Sequence, residues 1–554
     1  MQSVQKMKNI TDRAEWQQLV QHHADIARQH MRVWFREDPK RFAQFSIQSG
    51  NIFLDYSRNR ILPQTITLLC QLAQYAELPQ KIEAMFTGKP INTTEKRPVL
   101  HTALRDKHRT PIIINGENIA NLIYFTQKKM CSFVNDIHTQ KWRGITNKPI
   151  AHIVNIGIGG SHTGPMMCTY ALKPFAICNL TFHFISSIDK ALLNDVLQQI
   201  DLEQTLFILS SKSFTTLETI TNANSMIALM KAKWGDKVTQ HHFIAITAAI
   251  EKAIAWGISK ENIFPIWEWV NGRYSIWSAV GLPLMLMIGN KQFTEFLHGA
   301  YEMDEHFRQT EFTKNMPVIL ALLGIWYLNF FKTSAHAIIP YANALRFLIP
   351  YLQQAEMESN GKRTKLNGDE VDYITSPVVF GEEGCNGQHT YHQLLHQSPY
   401  FIPADFILIN QTADIIDPHD DILIASALSQ ADALMQGKTY EEAYTELCQA
   451  TMRHQEAEYL AHHQTIPGNR PCNILVIKDL TPKTLGALLA LYEHKIFVQG
   501  AIWEINSFDQ WGIELGKQLL PTLLKQIQNI THDSKINAST IALIGYLRKM
   551  REQA

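Results

Sequence analysis

Between residues 10 and 86 the chain reads mainly as helix. Trp16, Leu19, Val20 and His23 fall at helical spacing, and Leu68, Leu72, Tyr75 and Ala76 do so again. From about residue 149 the texture changes. Short β-branched or apolar runs at Ile150–Ile156, Thr181–Ile185, Thr205–Leu209 and Phe243–Ile246 alternate with longer helix-like segments. That alternation is the pattern of a parallel βαβ sheet. It returns at His336–Ile339, Pro377–Phe380, Phe406–Ile409 and Ile474–Ile477, so two α/β layers are expected. Tyr274–Gly289 and a buried helix after Met316 would join them, and the polar tail after Gly516 reads as terminal helices.

The longest apolar stretch, Met316–Phe331, contains Pro317, Gly324 and Asn329 and falls short of the roughly 20 residues of a membrane span. No membrane association is expected. The N-terminus lacks an apolar run followed by a small-residue cleavage site, so no secretory signal is expected. At 554 residues, 45% of them apolar, the chain is long enough for two large domains. Lys plus Arg and Asp plus Glu are both 51, so no overall field draws the protein to nucleic acid, and any anion must be held locally. Seven scattered cysteines without a CxxC pair argue against a disulfide framework or zinc ribbon and fit a reducing cytoplasm.

Local anion sites are suggested at two strand ends. The run Ile150–Ser161 (IAHIVNIGIGGS) ends a strand in glycines and then a hydroxyl, which lets backbone N–H groups approach an anion. It is neither a dinucleotide fingerprint, because His162 stands where the third glycine belongs, nor a P-loop, because Pro165 follows Gly164. The second run, Ser210–Thr219 (SSKSFTTLET), follows the strand at Thr205–Leu209. It offers Ser, Thr and Lys212 as donors at a helix start.

These two runs resemble the phosphate-contact turns of the glucose-6-phosphate isomerase (phosphoglucose isomerase) family. Five further segments agree. Asn92–Arg105 (NTTEKRPVLHTALR) and Trp269–Ser278 (WVNGRYSIWS) resemble two family signatures, and Tyr351–Lys362 (YLQQAEMESNGK) resembles the segment carrying the catalytic glutamate. Gly384–His389 (GCNGQH) is similar to the segment carrying the catalytic histidine, and Ile505–Lys517 (INSFDQWGIELGK) to the C-terminal signature. The chain departs from the family at His162-Thr163 for Asp-Leu, Ser213 for Thr, Leu217 for Gln, Asn271 for Gly and Cys385 for Thr.

The resemblance implies an α/β fold of two flavodoxin-like sugar-isomerase (SIS) domains with parallel sheets flanked by helices. It divides the chain into an N-terminal helical segment (1–120), a smaller SIS domain (121–288), a larger one (289–515) and a C-terminal helical arm (516–554). It also implies a cytoplasmic enzyme of glycolysis and gluconeogenesis that interconverts glucose 6-phosphate and fructose 6-phosphate through ring opening and an enediolate. No metal or organic cofactor is expected. The protein would be a homodimer with shared active sites.

By the same resemblance Glu358 is the base, Arg273 stabilises the enediolate, and His389 with Lys517 opens the ring, with Glu218 as a carboxylate partner for His389. Gly160, Ser161, Ser211, Lys212, Ser213, Thr216, Thr219, Gln354 and Gln510 bind substrate. The chemistry suits the residue types: a carboxylate can carry one proton between neighbouring carbons, histidine titrates near neutral pH, and a permanent cation steadies an oxyanion. Two alternatives compete. One is a sugar-phosphate sensor on the same fold, disfavoured because Glu358 and His389 are both present. The other is a metal site at His389, His392 and His396, disfavoured because there is no HExxH and no carboxylate or cysteine at ligand spacing.

Overall fold

The β-branched runs form strands because they are apolar on both faces and can be buried on both. A computed structural model describes residues 9–410, 418–450, 453–528 and 536–553. In chain order the strands are β1 (Ser46–Ser49), β2 (Ile52–Asp55), β3 (Ile113–Ile114), β4 (Glu117–Asn118), β5 (His152–Ile156), β6 (Thr181–Ile185) and β7 (Thr205–Ser210). They continue with β8 (Phe243–Thr247), β9 (Ile263–Pro265), β10 (Ala335–Tyr341), β11 (Val378–Phe380), β12 (Ala404–Ile409) and β13 (Cys472–Ile477). Every residue of β7 and β8 is buried, as expected of a parallel sheet covered on both sides by helices.

The first sheet is wholly parallel with order β6-β5-β7-β8-β9. The chain leaves β5 for β6 on one side and returns to β7 on the other, so the loops after β5 and β7 diverge at a switch point where α/β sheets bind ligands. The second sheet has order β1-β2-β13-β12-β10-β11, in which β10 to β13 are parallel and β2 runs antiparallel to β13. Helical spacing did not reveal the β1–β2 hairpin. Its signal is buried Ile47 before the turn at Gly50 and the alternation of buried Ile52 and Leu54 after it. The sequence reading also missed the three-residue β9 and the two-residue ribbon β3–β4, both too short to show a period.

The chain forms two compact units, Met1–Ser507, which holds both sheets, and Phe508–Ala554. All seven cysteines are free thiols. Among the described residues, no helix is long and apolar enough to cross a membrane. The apolar stretch after Met316 is instead a fully buried helix, Met316–Ile325, ending in a wide turn at Trp326–Phe330.

The second unit consists of helices Trp511–Ile527 and Ala538–Glu552, each exposing apolar side chains. In the first unit, helix Pro482–Ile502 is buried along almost its whole length. It lies so close to helix Leu282–Gln309 that a side chain on Gly299 would strike the Lys483 carbonyl, and one on Gly486 the Phe296 carbonyl.

Three consecutive ionisable residues on this buried helix are each paired. Glu493 accepts from Arg105 (2.6 Å) and Trp277 (2.8 Å), His494 meets Asp304 (2.6 Å), and Lys495 donates to both Glu356 oxygens (3.0 and 2.8 Å). Arg105 also grips Asp304 through two bonds of 2.8 and 2.7 Å. Against the pull of burial, these two carboxylates push the Arg105 pKa further up.

Breaking a buried pair strands a charge, whereas removing both partners does not. Lys495→Met should therefore lose about 3–5 kcal/mol of stability, read as a fall in melting temperature, and Lys495→Met/Glu356→Leu should recover much of it. A double variant no more stable than the single one would count against an ion pair at this position.

Candidate active site

The turn after β5 is shaped by glycine. Gly157 packs its backbone against Ser161 and the carbonyl of Ser210 on the neighbouring strand, and Gly159 takes a left-handed φ of 59°. Gly160 lies against the Gly272–Arg273 peptide so closely that a Cβ would run into the Gly272 carbonyl oxygen. No other residue type fits there. The turn continues through Ser161 into helix Thr163–Ala171. Burial lowers the pKa of His162, which replaces the family's acidic residue, to about 4, so the turn carries no side-chain charge at this position at neutral pH.

One strand over, the loop after β7 leads into helix Leu217–Trp234. It reverses at Phe214, a buried residue at φ 51° whose N–H bonds to the Ser211 carbonyl (3.2 Å). The Thr216 hydroxyl makes no capping bond and lies 3.1 Å from Ser211 Oγ, while Ser213 Oγ is 2.8 Å from Thr215 Oγ1. The first-turn N–H groups of the helix therefore sit beside a cluster of hydroxyls, the arrangement that suits a phosphate. Thr219 Oγ1 is buried without a hydrogen-bond partner among the described residues.

Lys212 belongs to the same loop, but its Nζ reaches away to the carbonyls of Glu268 (3.0 Å) and Val270 (3.1 Å) and to the Glu268 carboxylate (3.2 Å). Arg97 shares that carboxylate. Burial lowers the Lys212 pKa, with Glu268 opposing the shift.

The Gly272–Tyr274 turn that touches Gly160 carries Arg273. Asn271, which replaces the family's glycine just before it, has φ −75° and ψ 144°, ordinary extended backbone, so the replacement introduces no strain. Arg273 is buried and donates to Ser359 Oγ (2.7 Å) and the Ser507 carbonyl (2.7 Å), and its remaining nitrogen stands 3.6 Å from a Glu358 oxygen.

Glu358 ends a π-helical stretch, Gln353–Glu358, of the kind that often marks functional sites. Its side chain is 20% exposed, and its second oxygen accepts from Gln354 Nε2 at 2.9 Å. Gln354 Oε1 in turn accepts from Thr163 Oγ1 at 2.9 Å. Both Gly159 and Thr163, from the turn after β5, thus meet the segment that carries Glu358. A carboxylate with one oxygen held and the other facing a buried cation is poised to take a proton from carbon and to have the resulting anion stabilised.

His389 closes the short helix Gly384–Gln388 and is exposed. That helix packs on Tyr341 at the end of β10, where Gln388 donates to the Tyr341 hydroxyl (2.8 Å). His392 and His396 lie on the next helix and both bond to Gln430 Oε1 at 2.9 Å, so His389 does not share their face. Among the described residues no three His, Cys, Asp or Glu side chains could together hold a metal ion. In the second unit, Gln510 precedes helix Trp511–Ile527, and Lys517 is exposed and paired with Glu514 (2.8 Å).

Sequence reasoning did not single out Ser359, Lys362, Tyr274 or Thr163. Ser359 joins Arg273 to the Tyr274 hydroxyl (2.7 Å), and Lys362 Nζ binds the carbonyls of Glu358 and Ser359, both at 2.9 Å. The first three lie inside the quoted segments. Thr163 was visible only as a departure from the family.

Two phosphate-suited turns at the switch point of a parallel sheet, beside a paired carboxylate and guanidinium, define a protein of the sugar-phosphate isomerase class. The model of the phosphoglucose isomerase family matches residues 55–544, and the chain belongs to that family. The chain is 48% identical over 544 residues to the glucose-6-phosphate isomerase of Shewanella oneidensis, covering 98% of this chain and 99% of that protein. The glucose-6-phosphate isomerase of Shewanella putrefaciens is 47% identical over the same length. A crystal structure of a glucose-6-phosphate isomerase from Chlamydia trachomatis superposes with a TM-score of 0.82 at 29% identity, over 99% of this chain and 100% of that one. A hypothetical protein from Thermus thermophilus shares the fold, with a TM-score of 0.63 at 21% identity over 85% of this chain and 99% of that one.

Because the two glycines of the central contact are sterically unequal, they should respond differently to alanine. Gly160→Ala must push the Gly272–Arg273 peptide aside and displace the guanidinium, so isomerase activity should fall on the order of 10²-fold with a lowered melting temperature. Gly272 has open space where its Cβ would lie, and Gly272→Ala should keep the wild-type melting temperature.

Proposed function

We propose that this protein interconverts glucose 6-phosphate and fructose 6-phosphate by ring opening and proton transfer through an enediolate. The observation that carries the proposal is Glu358, held by Gln354 and facing the buried Arg273 at 3.6 Å, next to the glycine turn after β5. Ser161, Ser211, Ser213, Thr216 and Thr219 with the Gly160 backbone hold the phosphate, and Lys212 turns from Glu268 to join them when the dianion arrives. Gln354 and Gln510 contact sugar hydroxyls. His389, helped by Lys517, protonates the ring oxygen; Glu358 then takes the proton from C2 and returns it to C1 while Arg273 steadies the enediolate. The reaction oxidises one carbon as it reduces its neighbour, so no external redox cofactor is required.

The proposed assembly is a homodimer in which each site takes His389 from the other copy. The exposure of His389 supports this, as do the exposed apolar side chains Trp511, Leu515, Leu519, Leu543, Tyr546 and Met550 on the second unit. We also propose SIS domains at 121–288 and 289–515, supported by the grouping of β5 to β9 in one sheet and β10 to β13 in the other. Residues 1–120 and 516–554 would be the flanking segment and arm. The cytoplasm is the proposed compartment, which the seven free thiols suit.

Glu358→Gln keeps size but removes basicity, so kcat should fall on the order of 10²- to 10⁴-fold while KM changes little. Folded variant that still exchanged the C2 proton of glucose 6-phosphate with solvent at the wild-type rate would assign the base elsewhere. Mixing inactive His389→Ala and Glu358→Gln protomers should restore one intact site per heterodimer. No recovery after verified subunit exchange would sink the shared-site assembly.

A further inference from the structure

Gln354 has two chemically different ends, and its surroundings decide which way it points. An ionised Glu358 can only accept, so the amide nitrogen must face it, and the amide oxygen is then left in need of a donor. Thr163 supplies that donor at 2.9 Å. Gly159 makes the arrangement possible, since the position its Cβ would take is only 3.0 Å from Gln354 Nε2. Thr163 is the first residue of the helix after the glycine turn.

We propose that Thr163 is a positioning residue that fixes the Gln354 carboxamide so that its nitrogen donates to Glu358, tying the turn after β5 to the base. The inference rests on the role proposed above for Glu358. Donation from Gln354 fixes the direction of the carboxylate. Without the threonine hydroxyl the carboxamide can turn over, and its oxygen then opposes the carboxylate. The charged groups packed around Glu358 are Arg273 at 3.6 Å and Lys362, whose Nζ binds the Glu358 carbonyl, while Glu356 on the same stretch is paired with Lys495 of helix Pro482–Ile502. Neighbouring His162 is uncharged at neutral pH. None of these groups contacts the Thr163 hydroxyl, so its removal leaves them in place.

The test compares Thr163→Val, Thr163→Leu and Thr163→Ser in the full-length protein, with melting temperature as the control for folding. Valine and leucine should lower kcat by roughly 3- to 10-fold, the effect of one hydrogen bond. Inhibition by a phosphorylated sugar acid should stay unchanged, so that the loss falls on kcat and not on binding, and serine should restore kcat. Wild-type kcat in folded Thr163→Val, or failure of serine to restore it, would overturn the proposal. Glu358→Gln assayed alongside separates the two readings. If it is inactive while Thr163→Val is normal, only the Thr163 inference falls; if it is fully active, both fall.

Discussion

Helix Pro482–Ile502 is the anchor on which both halves of the Arg273–Glu358 cluster depend. Its Glu493 holds Trp277, just beyond Arg273, and Tyr351 at the head of the glutamate segment (3.3 Å). Its Lys495 holds Glu356, and its Ile496 carbonyl accepts from Asn360 (3.0 Å). Glu358 is thus fixed by buried charge and amide contacts on both sides of it in sequence. A buried charge network is costly to form, and its value lies in the single geometry that satisfies every member. That geometry brings Arg273 and Glu358 within reach of each other.

The cluster draws on both sheets. The glycine turn after β5 comes from the first, while the π-helical stretch Gln353–Glu358 follows β10 of the second and is tied to β11 by Gln353 bonding to the Val379 carbonyl (3.1 Å). The two meet at Gln354, against Gly159 and Thr163, and within the first, backbone packs on backbone at Gly160 and Gly272, leaving no side chain free to adjust. Small displacements there pass directly to Arg273, because interiors this closely packed transmit strain.

Most of this was legible in the sequence, for reasons that differ by element. Strands β5 to β8 and β10 to β13 declared themselves because parallel strands buried on both faces are nearly continuous apolar runs. The β1–β2 hairpin hid within a stretch of helical spacing, since its pairing with β13 joins segments more than 400 residues apart that no local pattern connects. Site residues were readable where glycine or hydroxyl clusters coincide with strand ends, and the roles of Glu358, Arg273 and His389 came from the family resemblance. Lys212's attachment to Glu268 and the Thr163–Gln354–Glu358 chain depend on side-chain directions in space, and spacing along the chain carries no trace of them.

Burial along Tyr351–Asn360 repeats every four residues: Tyr351 with Leu352, Ala355 with Glu356, and Ser359 with Asn360 are buried, and the pairs between them are less so. In an ordinary α-helix four residues over-rotate by about 40° per repeat, and such a stripe would spiral off the contact surface within two turns. The wide turns of the π-helical stretch cancel that drift and hold one meridian in phase. Gln354 and Glu358 are stacked on the opposite meridian for the same reason. The extra residue in the winding therefore works as a phase corrector, keeping one side of a short helix locked to the protein core while the other presents Gln354 and Glu358 together.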